Sequence, residues 1–183
     1  MNSMFMEKGD QSISLEDLKR EAIQEVIQEE EIAEKVQLVV FKLAGAAYAL
    51  PIDHVKEVIT MPRMAKVPHA PPYLRGAINV RGSVIAMIDL AIKFRLNDTA
   101  IQEEAKNYTL VIEHEKYKIG LVVEEVPYTI TTTVNDIDDP TDVLQFSTLG
   151  EECVNGIVKV DDQMIILVDI IAMLEADESL SKI

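Results

Sequence analysis

Two segments of this 183-residue chain lie on one another without a gap. Moved by 80 positions, GAINVRGSVIAMIDL at 76–90 falls on GIVKVDDQMIILVDI at 156–170. Gly76 then meets Gly156, Ile78 meets Val158, Val80 meets Val160, Ile85 meets Ile165 and Asp89 meets Asp169. An earlier stretch repeats at a shift of 71, which sets Leu50, Ile52, Val55 and Ile59 on Leu121, Val123, Val126 and Ile130. The shifts differ by 80 − 71 = 9 residues, which fall between Ile130 and Gly156, where TTTVNDIDDPTDVLQFSTLGEE is polar and loop-like. The chain therefore reads as two copies of one small unit: a hairpin, a connecting loop, then a strand–turn–strand ending in Asp.

Local patterning gives the unit its class. From residue 36 the hydrophobic period is read as two: VQLVVFKL at 36–43 is followed by Gly45 and then by YALPI at 48–52, a hairpin. Runs of the same kind recur at 77–80, 84–88, 108–113, 117–123, 156–160 and 164–168. Short strands punctuated by turns predict a mainly β chain, with two small barrels or half-barrels packed side by side. Residues 1–35 differ. They hold ten acidic and four basic residues, a net −6, and Leu15, Leu18, Ala22 and Val26 recur at helical spacing behind the capping-box pair Ser14 and Asp17. This predicts an amphipathic helix over 15–34 behind a loose tail.

Composition removes several functions. With 17 Lys+Arg against 32 Asp+Glu the formal charge is −15, which repels phosphate and argues against nucleic acid or an anionic membrane as the main partner. A lone Cys153 excludes an internal disulfide framework and a Cys-based zinc site. No apolar run approaches a membrane span, and the N-terminus lacks the pattern of a signal peptide, so a reduced, cytoplasmic protein without direct membrane insertion is expected.

Asp89 and Asp169 suggest a shared-proton carboxylate pair, and with it a dimeric aspartate-dependent hydrolase as an alternative function. Each, however, follows a strand and precedes an apolar helix-compatible run, 90–96 or 170–176, which is what a helix N-cap requires. Cys153 has no activating neighbour in sequence, and His54, His69 and His114 lack metal-ligand spacing, so neither catalytic residues, a metal nor a cofactor is expected. Gly76 and Gly82 are read as turn glycines. One stretch stands apart: 58–88 contains no acidic residue while carrying Arg63, Lys66, Arg75 and Arg81, and its first half is stiffened by Pro62, Pro68, Pro71 and Pro72. Local positive charge on an acidic body points to a docking surface for an acidic partner. A small nucleic-acid-binding barrel using these cations is the remaining alternative, disfavoured by the overall charge and the absence of Trp. The repeat puts Asp161 opposite Arg81, so the copies differ in charge there.

At these residues the chain resembles the CheW family of chemotaxis coupling proteins. YLRGAINVRGSVIAMIDL at 73–90 matches the family's G-x-x-N-[LV]-R-G followed by a buried strand and V/I-D-L. Residues 39–43 and YALPIDHVKEV at 48–58 match its opening, and IGLVVEEV at 119–126 and GIVKVDDQMIILVD at 156–169 match its second half. The chain departs from the pattern at Pro127 and Thr129. The resemblance implies two five-stranded β-barrels over 36–175, the first about 36–95 and the second about 106–170, with exchange of strands left open and a short C-terminal helix before a tail at 176–183. It implies a non-catalytic adaptor that bridges the cytoplasmic tip of chemoreceptors to the regulatory domain of a chemotaxis histidine kinase, recruited to receptor arrays. Carried over by position, Asn79, Arg81, Val126 and Arg75 belong to the receptor-facing surface and Val55 and Glu57 to the kinase-facing one. Gly76, Gly82, Asp89, Gly120, Gly156 and Asp169 hold turns or caps.

Overall fold

The structure, a computed structural model, describes residues 14–16, 18–20, 22–24, 34–96, 108–141 and 153–177. The chain divides into two units, Met1–Glu34 and Lys35–Ile183. In the first, the described residues between 15 and 24 are helical, and the Ser14 hydroxyl accepts from the Glu16 N–H at 3.1 Å, an N-cap. The remainder of the expected helix, at 25–33, and the Asp17 arm of its capping box lie outside the described residues.

The second unit is β-rich. Its strands are β1 (Lys35–Leu43), β2 (Ala46–Pro51), β3 (Val55–Thr60), β4 (Leu74–Val80), β5 (Ser83–Ile88), β6 (Tyr108–Glu113), β7 (Lys118–Val123), β8 (Tyr128–Thr133), β9 (Ile137–Asp138), β10 (Val154–Val160) and β11 (Gln163–Val168). Two short helices follow β5 and β11, α1 (Leu90–Lys93) and α2 (Ile170–Glu175). The strands form a six-stranded sheet ordered β8-β1-β2-β11-β10-β9 and a five-stranded sheet ordered β3-β6-β7-β5-β4. The sixth strand, β9, is only two residues long; its counterpart in the other sheet is a single bridge, Ala65 with Ala77. Neither sheet is contiguous in sequence. Each takes its hairpin from one copy of the repeat and its strand–turn–strand from the other.

The pairing registers repeat with the sequence. Val39↔Leu50 in β1–β2 corresponds, at a shift of 71, to Leu110↔Leu121 in β6–β7. Ile78↔Ile85 in β4–β5 corresponds, at a shift of 80, to Val158↔Ile165 in β10–β11. The exchange contacts obey both shifts at once, since Ile166↔Tyr48 becomes Ala86↔Ile119. Asp138 pairs with Ile157 where Ala65 pairs with Ala77, a shift of 138 − 65 = 73. Two of the nine inserted residues thus lie between Ile130 and Asp138 and seven between Asp138 and Ile157.

Three cores explain the run of apolar residues. Leu38, Val40, Ala47, Ala49, Val158, Ile165 and Leu167 fill the six-stranded lobe, and Ile78, Val80, Ile85, Met87, Val111 and Val122 fill the five-stranded one. A larger cluster between them takes Phe41, Tyr48 and Leu50 from one hairpin, Leu110, Leu121 and Val123 from the other, and Ile88, Leu90, Val168 and Ile170 from the strand–helix junctions. Successive residues of each hairpin thus face different cores, and β7 is buried at five of its six positions. The period-two expectation fails in the hairpins for this reason: strands covered on both faces read as continuous apolar runs. It holds in β3 and β4, where burial alternates. Three strands lie outside the runs read from the sequence, β3, β8 and the two-residue β9. VKEVIT carries two adjacent charges, and the second half of YTITTT, Thr131–Thr133, falls in the stretch read as a polar insertion, although its β-branched residues fit a half-exposed strand.

One polar contact also ties the two sheets together. Lys93, after β5, pairs with Asp177, after β11, with side chains 16% and 11% exposed. The Tyr73 hydroxyl donates to the same carboxylate at 2.5 Å, and the Lys93 ammonium lies 4.3 Å from the Tyr73 ring centroid. Two outcomes are expected in urea denaturation. Leu50→Ala, in the shared core, lowers stability by about 3 kcal/mol and leaves one transition rather than two, because both lobes lose the same wall. Lys93→Met removes the ammonium that pairs with the Asp177 carboxylate and costs about 3 kcal/mol.

Candidate functional site

The β4–β5 hairpin turns on Arg81 and Gly82, with φ +50° and +88°. A two-residue turn with both φ values positive matches the twist of the flanking strands, and glycine takes the second place without a Cβ clash. Asn79 completes it: its Oδ1 accepts from the Gly82 N–H at 2.9 Å. The Arg81 side chain is thrown outward, 81% exposed, and its guanidinium meets Glu57 Oε2 of β3 at 2.9 Å. In the sheet order β3 and β4 are opposite edges, so this contact and the Ala65–Ala77 bridge bring the edges of the five-stranded sheet together. Residues expected on different partner surfaces, Arg81 and Glu57, are therefore neighbours. Beside the turn, Val84 is 74% exposed. Sequence reasoning passed over it, though the alternation of β5 (Val84 out, Ile85 in) carried the signal.

Arg75 is elsewhere. It sits near the start of β4, six residues from Arg81 and so about 20 Å away along an extended strand, where it lines a groove with Lys66. Val126 is exposed in the link from β7 to β8, the strand passage from one sheet to the other. That link is held at its start: Glu124 accepts from the Ala44 N–H at 2.9 Å and Glu125 pairs with Lys42 at 3.1 Å. Val55 is half-buried and opens β3, opposite Ile112.

The glycines divide by role. Gly82 serves the turn. Gly76 does not; it lies inside β4 at a register shift, where a Cβ would stand 2.5 Å from the Ala65 carbonyl oxygen. Gly156 is its counterpart in β10, against Ile137 and Asp138. Both are close-approach positions inside strands, as is Gly120 in β7, which corrects the reading of Gly76, Gly120 and Gly156 as turn or cap residues. Gly120 makes room for Met87 and Thr109 between β5 and β6.

The two aspartates cap helices. Asp89 accepts from the Ile92 N–H at 3.3 Å and Asp169 from the Ala172 N–H at 2.8 Å, while their own N–H groups donate to Tyr73 and Cys153 at 2.8 and 3.0 Å. Asn155 adds a bond to the second Asp169 oxygen at 3.1 Å. Each carboxylate holds the first turn of the helix that follows it. Cys153 is buried and His69 sits in a loop at φ +59°. His54 and His114 meet edge to face, 5.5 Å between centroids. Among the described residues no three His, Cys, Asp or Glu side chains gather as a cation would need, and no described helix is long and apolar enough to cross a membrane.

The turn opposite Arg81 shows what the copies share and where they part. Asp161 has φ +52°, as Arg81 has +50°, but Asp162 does not share the positive φ of Gly82. Asp162 follows it, and two residues before it Lys159 has its ammonium raised above the ordinary value by the Asp138 carboxylate at 2.7 Å.

A family model for the CheW-like domain matches residues 37–178. The chemotaxis protein CheW of Treponema pallidum is 26% identical over 147 residues, 79% of this chain and 85% of that protein. That of Bacillus subtilis is 28% identical over 153 residues, 84% and 96% of the two chains. Among solved structures, the scaffolding protein TtCheW from Thermoanaerobacter tengcongensis superposes with a TM-score of 0.66 at 31% identity, over 79% of this chain and 90% of that one.

Asp169→Ala is expected to lower thermal stability by about 1 kcal/mol, the value of a cap, with the fold retained by circular dichroism.

Proposed function

The chain belongs to the CheW family, and from that premise we propose that it is a non-catalytic adaptor of a chemosensory system, bridging the cytoplasmic tip of a chemoreceptor to the regulatory domain of a chemotaxis histidine kinase. Receptor state then reaches the kinase because one cytoplasmic molecule holds both partners in fixed geometry within the array.

The observation that carries this reading is the display of Arg81. A positive φ is uncommon outside glycine and costs an arginine more than it costs an aspartate, whose short polar side chain tolerates it. The family-matched arginine nonetheless holds this conformation, on a turn braced by Asn79 and closed by Gly82. Its side chain is 81% exposed. Its ion pair with Glu57 is too exposed to be worth more than about 1 kcal/mol, so stability does not account for it. A forked guanidinium with an aliphatic neighbour, Val84, suits a helix of a receptor bundle, gripping one carboxylate while the aliphatic surface meets an apolar anchor. Val126, exposed in the β7–β8 link, is assigned to the receptor by family position alone, since the parallel β5–β7 register puts it at the other end of the sheet from Arg81. The kinase surface is assigned to β3, where Val55 and Glu57 are joined by Val58, 41% exposed.

Arg81→Ala tests the assignment. Co-sedimentation with receptor cytoplasmic fragments is expected to weaken by about 2 kcal/mol, roughly 30-fold, with the melting curve unchanged. Undiminished receptor binding in a folded variant overturns the role of Arg81.

A further inference from the structure

We propose that the groove beneath the proline-stiffened arch at 61–72 is a second docking site, for a short acidic segment of a partner protein that carries aliphatic side chains.

The arch leaves β3 and returns to the sheet at two points. Ala65 exchanges both backbone hydrogen bonds with Ala77 at 2.8 Å, and the Leu74 N–H donates to Pro71 at 2.9 Å. Gly76 has no Cβ, which lets the Ala65 carbonyl approach β4 so closely. Between these anchors the chain stands off the sheet and encloses an open groove of about 520 Å³. Met64, Val67, Pro71 and Leu74 give it an apolar lining, and Lys66 and Arg75 give it charge. Pro68, Pro71 and Pro72 fix φ along the arch, so a ligand meets a wall that is already formed and little ordering entropy is lost on binding.

Charge selects the occupant. The acid-free stretch 58–88, with its four cations, belongs to a chain of formal charge −15. The summed charge attracts a basic segment without selecting a place for it, whereas an acidic one is repelled by the body as a whole and held only where cations gather locally, as Lys66 and Arg75 do here. A nucleic acid fits poorly, because its phosphates continue past a two-cation groove onto acidic surface. The apolar lining then requires aliphatic groups beside the carboxylates. Val67 is 41% exposed in the groove and offers the first such contact. The site does not rest on the role given to Arg81, which lies at the far end of β4.

The full chain is titrated, by fluorescence anisotropy, with a labelled 18-residue synthetic peptide of Glu and Leu at helical spacing. A Lys–Leu and a Glu–Ser version are run beside it. The Glu–Leu peptide is expected to bind, the two controls to bind more weakly, and the affinity to fall as salt rises. Lys66→Glu and Val67→Asp, both at exposed positions, are each expected to weaken binding at least roughly tenfold with melting unchanged, and Arg81→Ala is expected to leave it intact. Failure of the Glu–Leu peptide to bind, equal binding of the Lys–Leu peptide, or variants that bind like the parent chain overturns the proposal. So does loss of peptide binding in Arg81→Ala, which would place the peptide on the other surface. A self-association of the chain that Lys66→Glu abolishes, read by sedimentation, gives the groove to a second copy and overturns the partner assignment.

Discussion

Both hairpins are buried on two sides, and the rest of the fold follows from that. β1–β2 and β6–β7 each send alternate side chains into a lobe and into the cluster between the lobes. Neither sheet is complete without the hairpin of the other copy. An isolated half-chain would expose an apolar hairpin face on one side and leave an unfilled strand–turn–strand on the other, and the association of two such units removes both. Coupled burial also makes the two lobes one mechanical object. The nearly buried Lys93–Asp177 pair, roofed by Tyr73, adds a directional bond to a non-directional core, and therefore fixes orientation more than it adds stability.

Against this shared scaffold the differences between copies become informative. Backbone features persist at the shift of 80: the register shifts at Gly76 and Gly156, the caps at Asp89 and Asp169, and the positive φ at Arg81 and Asp161. These are conditions of folding, and each recurs because the same local geometry demands it. The side chain displayed at the turn is not such a condition. Arginine in one copy and aspartate in the other occupy one backbone conformation, and only the aspartate is intrinsically suited to it. Folding alone therefore does not account for the arginine, which is the physical case for reading it as a contact.

Much of this was legible in the sequence, for identifiable reasons. The duplication, the caps and the Arg81–Gly82 turn depend on residues within a few positions of one another, and local sequence specifies local backbone. The exchange of hairpins does not: Tyr48 pairs with Ile166 across 118 residues (166 − 48), and no local pattern distinguishes that partner from Ala86. β8 was missed because six threonine-rich residues resemble a loop until β1 is placed beside them. The Arg81–Glu57 contact needed the edges of the five-stranded sheet to meet, a property of closure rather than of either strand. Arg75 and Arg81 looked like one basic patch because they lie close in sequence, yet an extended strand puts six residues at about 20 Å.

Charge acts on this surface at two ranges. At about 8 Å, the screening length in physiological salt, a partner senses the summed charge, and for an acidic partner that sum is repulsive. Only within that distance do Arg81, or Lys66 and Arg75, outweigh it. Encounter is therefore not steered by long-range attraction, and an acidic partner gains selectivity by finding one of the few places where the sign reverses. Salt weakens the repulsion and the local attraction together, so affinity at these sites falls less steeply with ionic strength than for a basic protein meeting an acidic one. Apolar contacts, which salt does not screen, must then hold the complex. The exposed Val84 beside Arg81 and Val67 beside Lys66 are placed where such contacts are needed.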